Sequence, residues 1–131
     1  MVAGCGGGAA DPATAPLAGA KMGGAFNLID QNGKPISDQA FKGKHRIIYF
    51  GYTFCPDVCP TDVQVISQGL SAFEKADRAR ATNVVPVFIS VDPKRDTPAA
   101  VKTFVSNFHP RLVGLTGTEA EIARVAKAYG I

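Results

Sequence analysis

Arg46-Ile-Ile-Tyr-Phe-Gly51 runs directly into Tyr52-Thr-Phe-Cys55-Pro-Asp-Val-Cys59-Pro60, and this junction decides how the chain folds. The first six residues are mostly β-branched or aromatic, as expected of a strand covered on both faces. From Cys59 the apolar positions Val63, Ile66, Leu70 and Phe73 recur at helical spacing, giving one face of a helix expected to end near Ala79. Val84 to Val91, reading Val-Val-Pro-Val-Phe-Ile-Ser-Val, is a second strand of the same kind. Proline cannot donate to a ladder, so Pro86 puts the paired part of that strand at Val87 to Val91. Strand, helix and strand make a βαβ unit with a right-handed crossover, its two strands expected to be central and parallel.

Upstream, Phe26-Asn-Leu-Ile-Asp30 precedes Gln31-Asn32-Gly33-Lys34, and an Asn-Gly pair between apolar runs predicts an N-terminal hairpin. Downstream, Thr97 as N-cap and Pro98 in the first turn start a second helix that buries Val101, Phe104, Val105 and Phe108. A capping box, Thr118 with Glu121, starts a third helix with an inward stripe of Ile122, Val125, Ala126 and Tyr129 and a stop at Gly130. The aromatic set Phe50, Phe73, Phe88, Phe104 and Phe108 falls on inward stripes and is expected in the core. Hairpin, βαβ unit and two further helices make an α/β domain over residues 25–131. Its thin sheet has at least one open flank, and the domain is expected to be C-terminally incomplete.

Residues 1–24 are rich in Gly, Ala and Pro, without periodicity, and are expected to be a flexible linker. Within it, Val2-Ala3-Gly4-Cys5 resembles the tail of a bacterial lipoprotein signal. Cys5 is then an acylated anchor point in a longer parent protein, and the coil holds the domain on the order of 25 Å from a membrane. The chain as a whole has 131 residues, enough for one domain. Fourteen basic residues against eleven acidic, in no long block, exclude the electrostatic footprint of a nucleic-acid binder. No apolar run is long enough for a transmembrane helix.

The chemistry is expected where the first strand hands over to the cysteine-bearing helix. At the carboxyl end of such a strand the next helix aims its amide N–H groups and positive dipole end, and helix N-termini lower thiol pKa. Three roles are open to Cys55 and Cys59: a structural disulfide, a redox-active dithiol, and a soft-metal site. A disulfide across three residues closes a very small loop and would stabilise little. Two thiolates suit monovalent copper, which accepts low coordination, better than zinc, which needs four ligands or three plus water. His45, in the Lys44-His45-Arg46 basic stretch, is expected to be solvated, and His109, at the end of the second helix, to cap carbonyls. Asp57 is expected to support the helix N-terminus. Asp92 sits where it faces the cysteine loop or serves a turn before Pro93.

Tyr52-Thr-Phe-Cys-Pro-Asp-Val-Cys-Pro60 resembles the signature of the Sco/SenC family of copper chaperones for cytochrome c oxidase. Phe88-Ile-Ser-Val-Asp-Pro93 with Arg95-Asp-Thr-Pro98, then Phe108-His-Pro-Arg111 and Gly114-Leu-Thr-Gly117, resemble further family segments in the same order. The resemblance implies a thioredoxin-like fold, copper held by Cys55, Cys59 and one distant histidine, and delivery of copper to the copper A centre on cytochrome c oxidase subunit II. It also implies exchange with other copper carriers, on the periplasmic side of a bacterial inner membrane. The family's ligand histidine lies in a Val-Asp-His-Ser segment beyond the third helix. Neither His45 nor His109 matches it, so the chain is expected to stop short of that ligand. Divalent copper, which prefers added nitrogen donors, is then expected to be lost before monovalent copper. An alternative from another class is a thiol–disulfide reductase in which Cys55 and Cys59 reduce the oxidase's own copper-binding cysteines. A peroxidase of the peroxiredoxin kind ranks last, because the threonine its motif needs is Tyr52 ahead of Cys55 and Pro56 ahead of Cys59.

Overall fold

The computed structural model describes residues 18–54 and 58–131. Strands β1 (Asn27–Asp30) and β2 (Pro35–Ser37) form the expected hairpin, with Leu28 opposite Ile36. Its turn is tied by the Asp30 carboxylate, which accepts the N–H groups of Asn32 and Lys34 at 2.8 and 3.0 Å. Strands β3 (His45–Gly51) and β4 (Val84–Ser90) are parallel, paired from His45 opposite Val84 to Gly51 opposite Ser90. Between them runs α1 (Val58–Ala76). It stops before Ala79 because Asp77 turns its side chain onto the N–H of Arg80 and caps a separate short helix, α2 (Arg78–Ala81).

Thr97 caps α3 (Pro98–Val105) by accepting the N–H of Ala100, and both halves of the Thr118–Glu121 capping box start α4 (Glu119–Ala128). Gly130, at φ 74, follows the end of α4. A further strand, β5 (Val113–Thr116), runs parallel to β4 and antiparallel to β1, so the mixed sheet has the order β2-β1-β5-β4-β3. This strand was not expected. Four residues are too few to display alternation, and Gly114 interrupts them. The glycine has a packing reason: a Cβ there would lie 2.4 Å from Cγ1 of Val101, where α3 rests on the sheet.

Two strand expectations are corrected. β4 is interior, but β3 lies at the end of the sheet among the described residues, and its first three residues are exposed. Pairing of β4 also begins at Val84 rather than Val87, with Pro86 opposite Ile47 inside the strand. The proline is accommodated where β4 is paired on one side only, since β5 reaches only Val87 to Ile89.

Alternation along the strands divides the core in two. Val85, Val87 and Ile89 join Leu28, Leu115, Ile122 and Val125 on the α4 face. Phe88 joins Val63, Val101 and Val105 on the face covered by α1 and α3, with Tyr49, Phe104 and Phe108 packed alongside. Phe73 does not belong to either, being 36% exposed. The buried line of α1 is Cys59, Val63, Ser67 and Leu70, and Ser67 takes a place that apolar periodicity alone could not assign.

Candidate thiol site

Cys59 lies in the first turn of α1, 5% exposed, at the carboxyl end of β3. Gly51 makes room for it. A Cβ on Gly51 would sit 2.8 Å from Cε1 of Tyr49, 3.1 Å from the Cys59 sulfur and 3.1 Å from Cε2 of Phe88. The helix can therefore start directly against the strand only if the strand ends in glycine. Two residues earlier on the same face, the Tyr49 hydroxyl donates to Oδ2 of Asp62 at 3.0 Å. Asp62 is one helical turn beyond Cys59, which brings phenol, carboxylate and sulfur together. Burial first, then hydrogen bonding and charge from Cys59 and Asp62, push the Tyr49 hydroxyl well above the ordinary phenol value of 10.0.

The segment after Gly51 is stitched to the loop that follows β4. The Gly51 carbonyl accepts the N–H of Val91 at 2.8 Å. Thr53 donates its N–H to Oδ2 of Asp96 at 3.0 Å and its hydroxyl to Oδ1 at 2.5 Å. Phe54 stands 57% exposed with the Arg95 guanidinium 4.9 Å over its ring.

Of the residues singled out from sequence, Cys59 is at this site, while Cys55 and Asp57, like Cys5, lie outside the described residues. His45 is exposed at the far end of β3, six residues or about 20 Å of extended strand before Gly51. His109 does not end a helix, because α3 stops at Val105. It is buried, with Nδ1 accepting the Arg111 N–H, Nε2 bonded to Glu74 and its own N–H donated to Ser67. Ser67 is eight residues past Cys59, about 12 Å along α1, so this histidine faces a different part of the helix. Asp92 serves the turn: its carbonyl accepts the N–H groups of Arg95 and Asp96, and its carboxylate pairs with Arg95. The carboxylate that reaches the cysteine segment is Asp96. Among the described residues no group of three or more His, Cys, Asp and Glu side chains could hold a metal ion, and no helix is long and apolar enough to cross a membrane.

Tyr49, Asp62, Thr53 and Asp96 went unrecognised in the sequence. For the first two a signal exists: Tyr49 shares its strand face with Gly51, and Asp62 follows Cys59 by three helical positions. Asp96 lies 43 residues from Thr53, and nothing local announces that pairing.

A thiol in the first turn of the helix that follows a parallel strand, on a mixed five-stranded sheet, defines a thioredoxin-like α/β domain. Residues 14–131 match the SCO1/SenC family model. The chain belongs to the SCO1/SenC family. It is 43% identical over 110 residues to the mitochondrial protein SCO2 of Saccharomyces cerevisiae, covering 84% of this chain and 36% of that protein. Among solved structures it resembles ScoI of Bradyrhizobium japonicum with copper bound, at 52% identity and TM-score 0.76 over 83% of this chain and 67% of that one. ScoI of Arabidopsis thaliana with copper bound is similar at 43% identity and TM-score 0.78, covering 83% and 66%. The chain thus spans about a third of the yeast protein and about two-thirds of the two solved chains.

Proposed function

We propose that this protein binds monovalent copper through Cys55 and Cys59 and delivers it to the copper A centre of cytochrome c oxidase subunit II. The observation that carries this reading is the likeness, at 43% and 52% identity, to two solved family members described with copper bound. The matched span includes both cysteines. Cys59 contributes a sulfur held beside Gly51 and Tyr49 in the first turn of α1. Copper passes by stepwise exchange, the partner's thiolate replacing one of the two sulfurs before the other lets go. Residues 1–24 act as a tether and residues 25–131 as the copper-carrying domain, held on the periplasmic side of the membrane through a lipid on Cys5.

The burial of Cys59 also suits a second role, thiol–disulfide reduction of the oxidase's copper-site cysteines. The Cys55 thiolate attacks the partner's disulfide and the buried Cys59 thiol resolves the mixed disulfide, oxidising this chain as the partner is reduced. Titration of the reduced Cys5→Ser protein with monovalent copper against a competing chelator separates the two roles. A carrier loses tight binding with either Cys55→Ser or Cys59→Ser. Absence of tight binding in the parent protein, or retention of it in both variants, overturns the copper reading.

A further inference from the structure

Asp96 has no exposure to solvent, and the ion pairs among the described residues do not include it. A carboxylate in that setting is costly unless its lone pairs are filled by well-placed donors. They are. The Ser90 hydroxyl donates to Oδ2 at 2.5 Å, beside the N–H of Thr53, while the Thr53 hydroxyl takes Oδ1. The Ser90 oxygen itself accepts the N–H of Asp92 at 3.1 Å, which leaves its one proton for Asp96. The backbone of Asp96 is fixed as well, its N–H donating to the Asp92 carbonyl at 2.9 Å and its carbonyl accepting the Thr116 hydroxyl at 2.8 Å. One buried residue therefore joins the ends of β4 and β5 to the segment that leaves β3, its side chain reaching Ser90 and Thr53 and its carbonyl reaching Thr116.

We propose that Asp96 is a positioning residue for the thiol pair, gripping Thr53 by two hydrogen bonds so that the loop carrying Cys55 leaves the sheet at a fixed place and angle. The inference rests on the reading that Cys55 and Cys59 work together. Thr53 stands two residues ahead of Cys55, and Cys59 is anchored independently in α1. In sequence Cys55 lies between the Thr53 anchor and α1, so the grip on Thr53 bears on the distance between the two sulfurs. Paired sulfur chemistry is sensitive to that distance, since a disulfide requires Cα atoms within about 4.4–6.8 Å. Outer partners that orient a ligand-bearing segment commonly matter for affinity almost as much as the ligands.

The test uses the Cys5→Ser protein with Thr53→Val, Thr53→Ser and Asp96→Asn, and Thr118→Ala as a remote variant that loses a helix cap. The first readout is metal-free: the equilibrium in glutathione buffers, where the Cys55 and Cys59 thiols give up two electrons and two protons to glutathione disulfide, forming two glutathione thiols. The second is competition for monovalent copper. Urea unfolding gives stability. Thr53→Val and Asp96→Asn are expected to disfavour the intramolecular disulfide and weaken copper binding by about 10- to 100-fold each. Thr53→Ser restores both values. Thr118→Ala loses stability without moving either. Should Asp96→Asn fail to fold, Thr53→Val carries the test alone. A folded Thr53→Val protein with parental disulfide equilibrium and copper affinity overturns the inference and leaves the copper reading standing. A parent protein that forms neither the disulfide nor a copper complex overturns both.

Discussion

Gly51→Ala tests the packing at the thiol site directly. Alanine is allowed by the backbone there, since Gly51 is not among the residues at positive φ. The added carbon would lie 2.8 Å from Tyr49 and 3.1 Å from both Cys59 and Phe88. Against a comfortable separation of about 3.5 Å, the shortfalls are about 0.7 and about 0.4 Å. Phe88 has no exposure and is wedged between Tyr49 and Phe104, with ring centroids 6.4 and 4.8 Å away, so it cannot retreat. Tyr49 and the first turn of α1 must give way instead. Overpacking of this kind costs about 1–3 kcal/mol, and loss of unfolded-state freedom on replacing glycine offsets about 0.4–1 kcal/mol. The net expectation is a destabilisation of about 1.5 kcal/mol, roughly tenfold in the folded-to-unfolded ratio, read from urea unfolding. Because the strain is relieved partly through Cys59, copper competition should weaken as well. Gly114→Ala, whose new carbon would lie 2.4 Å from Val101, should cost about 3 kcal/mol and leave the thiol site unchanged. A Gly51→Ala protein as stable as the parent, or a Gly114→Ala protein disturbed equally at the thiol site, refutes the reasoning.

Tyr49→Phe should remove the Asp62 hydrogen bond at neutral pH and, more specifically, reduce the loss of stability in alkali. The folded state holds the phenol proton more tightly than the unfolded chain, so this contribution is intact below pH 10.0 and is lost as pH rises above it. Urea unfolding at pH about 9 and about 11 should show a smaller alkaline loss in Tyr49→Phe, and equal losses in both proteins would be inconsistent with the buried phenol. His109→Ala should cost about 2–4 kcal/mol, since it opens a cavity and strips the Arg111 N–H of its acceptor. Its copper affinity should equal the parent's, and a folded His109→Ala protein with weakened binding would show that this histidine is not purely structural.

Legibility followed the range of each interaction. The hairpin, both helix caps and the placement of Cys59 in a first helical turn were readable because a handful of neighbouring residues decides them. Helix length was misjudged where Asp77, a polar side chain, competes for the backbone ahead of Arg80. Phe73 follows the apolar period of α1 yet is 36% exposed, so the pattern overstated its burial. β5 was missed because its identity as a strand comes from two neighbours, β1 and β4, and not from its own four residues.

By itself the sequence determined that a strand ends in glycine, that a helix with Cys59 in its first turn follows a short connection, and that a second parallel strand and two capped helices come after. These features arise from local periodicity, capping and the absence of a side chain at one position. Only the tertiary structure decided which carboxylate reaches the cysteine segment, that His109 is bound to Glu74 rather than to the thiol site, and that Tyr49 and Asp62 close around the sulfur. Each of those depends on residues between 10 and 43 positions apart in the chain. Such contacts form when two elements settle on the same face of a sheet, and neither stretch of sequence contains the other's position.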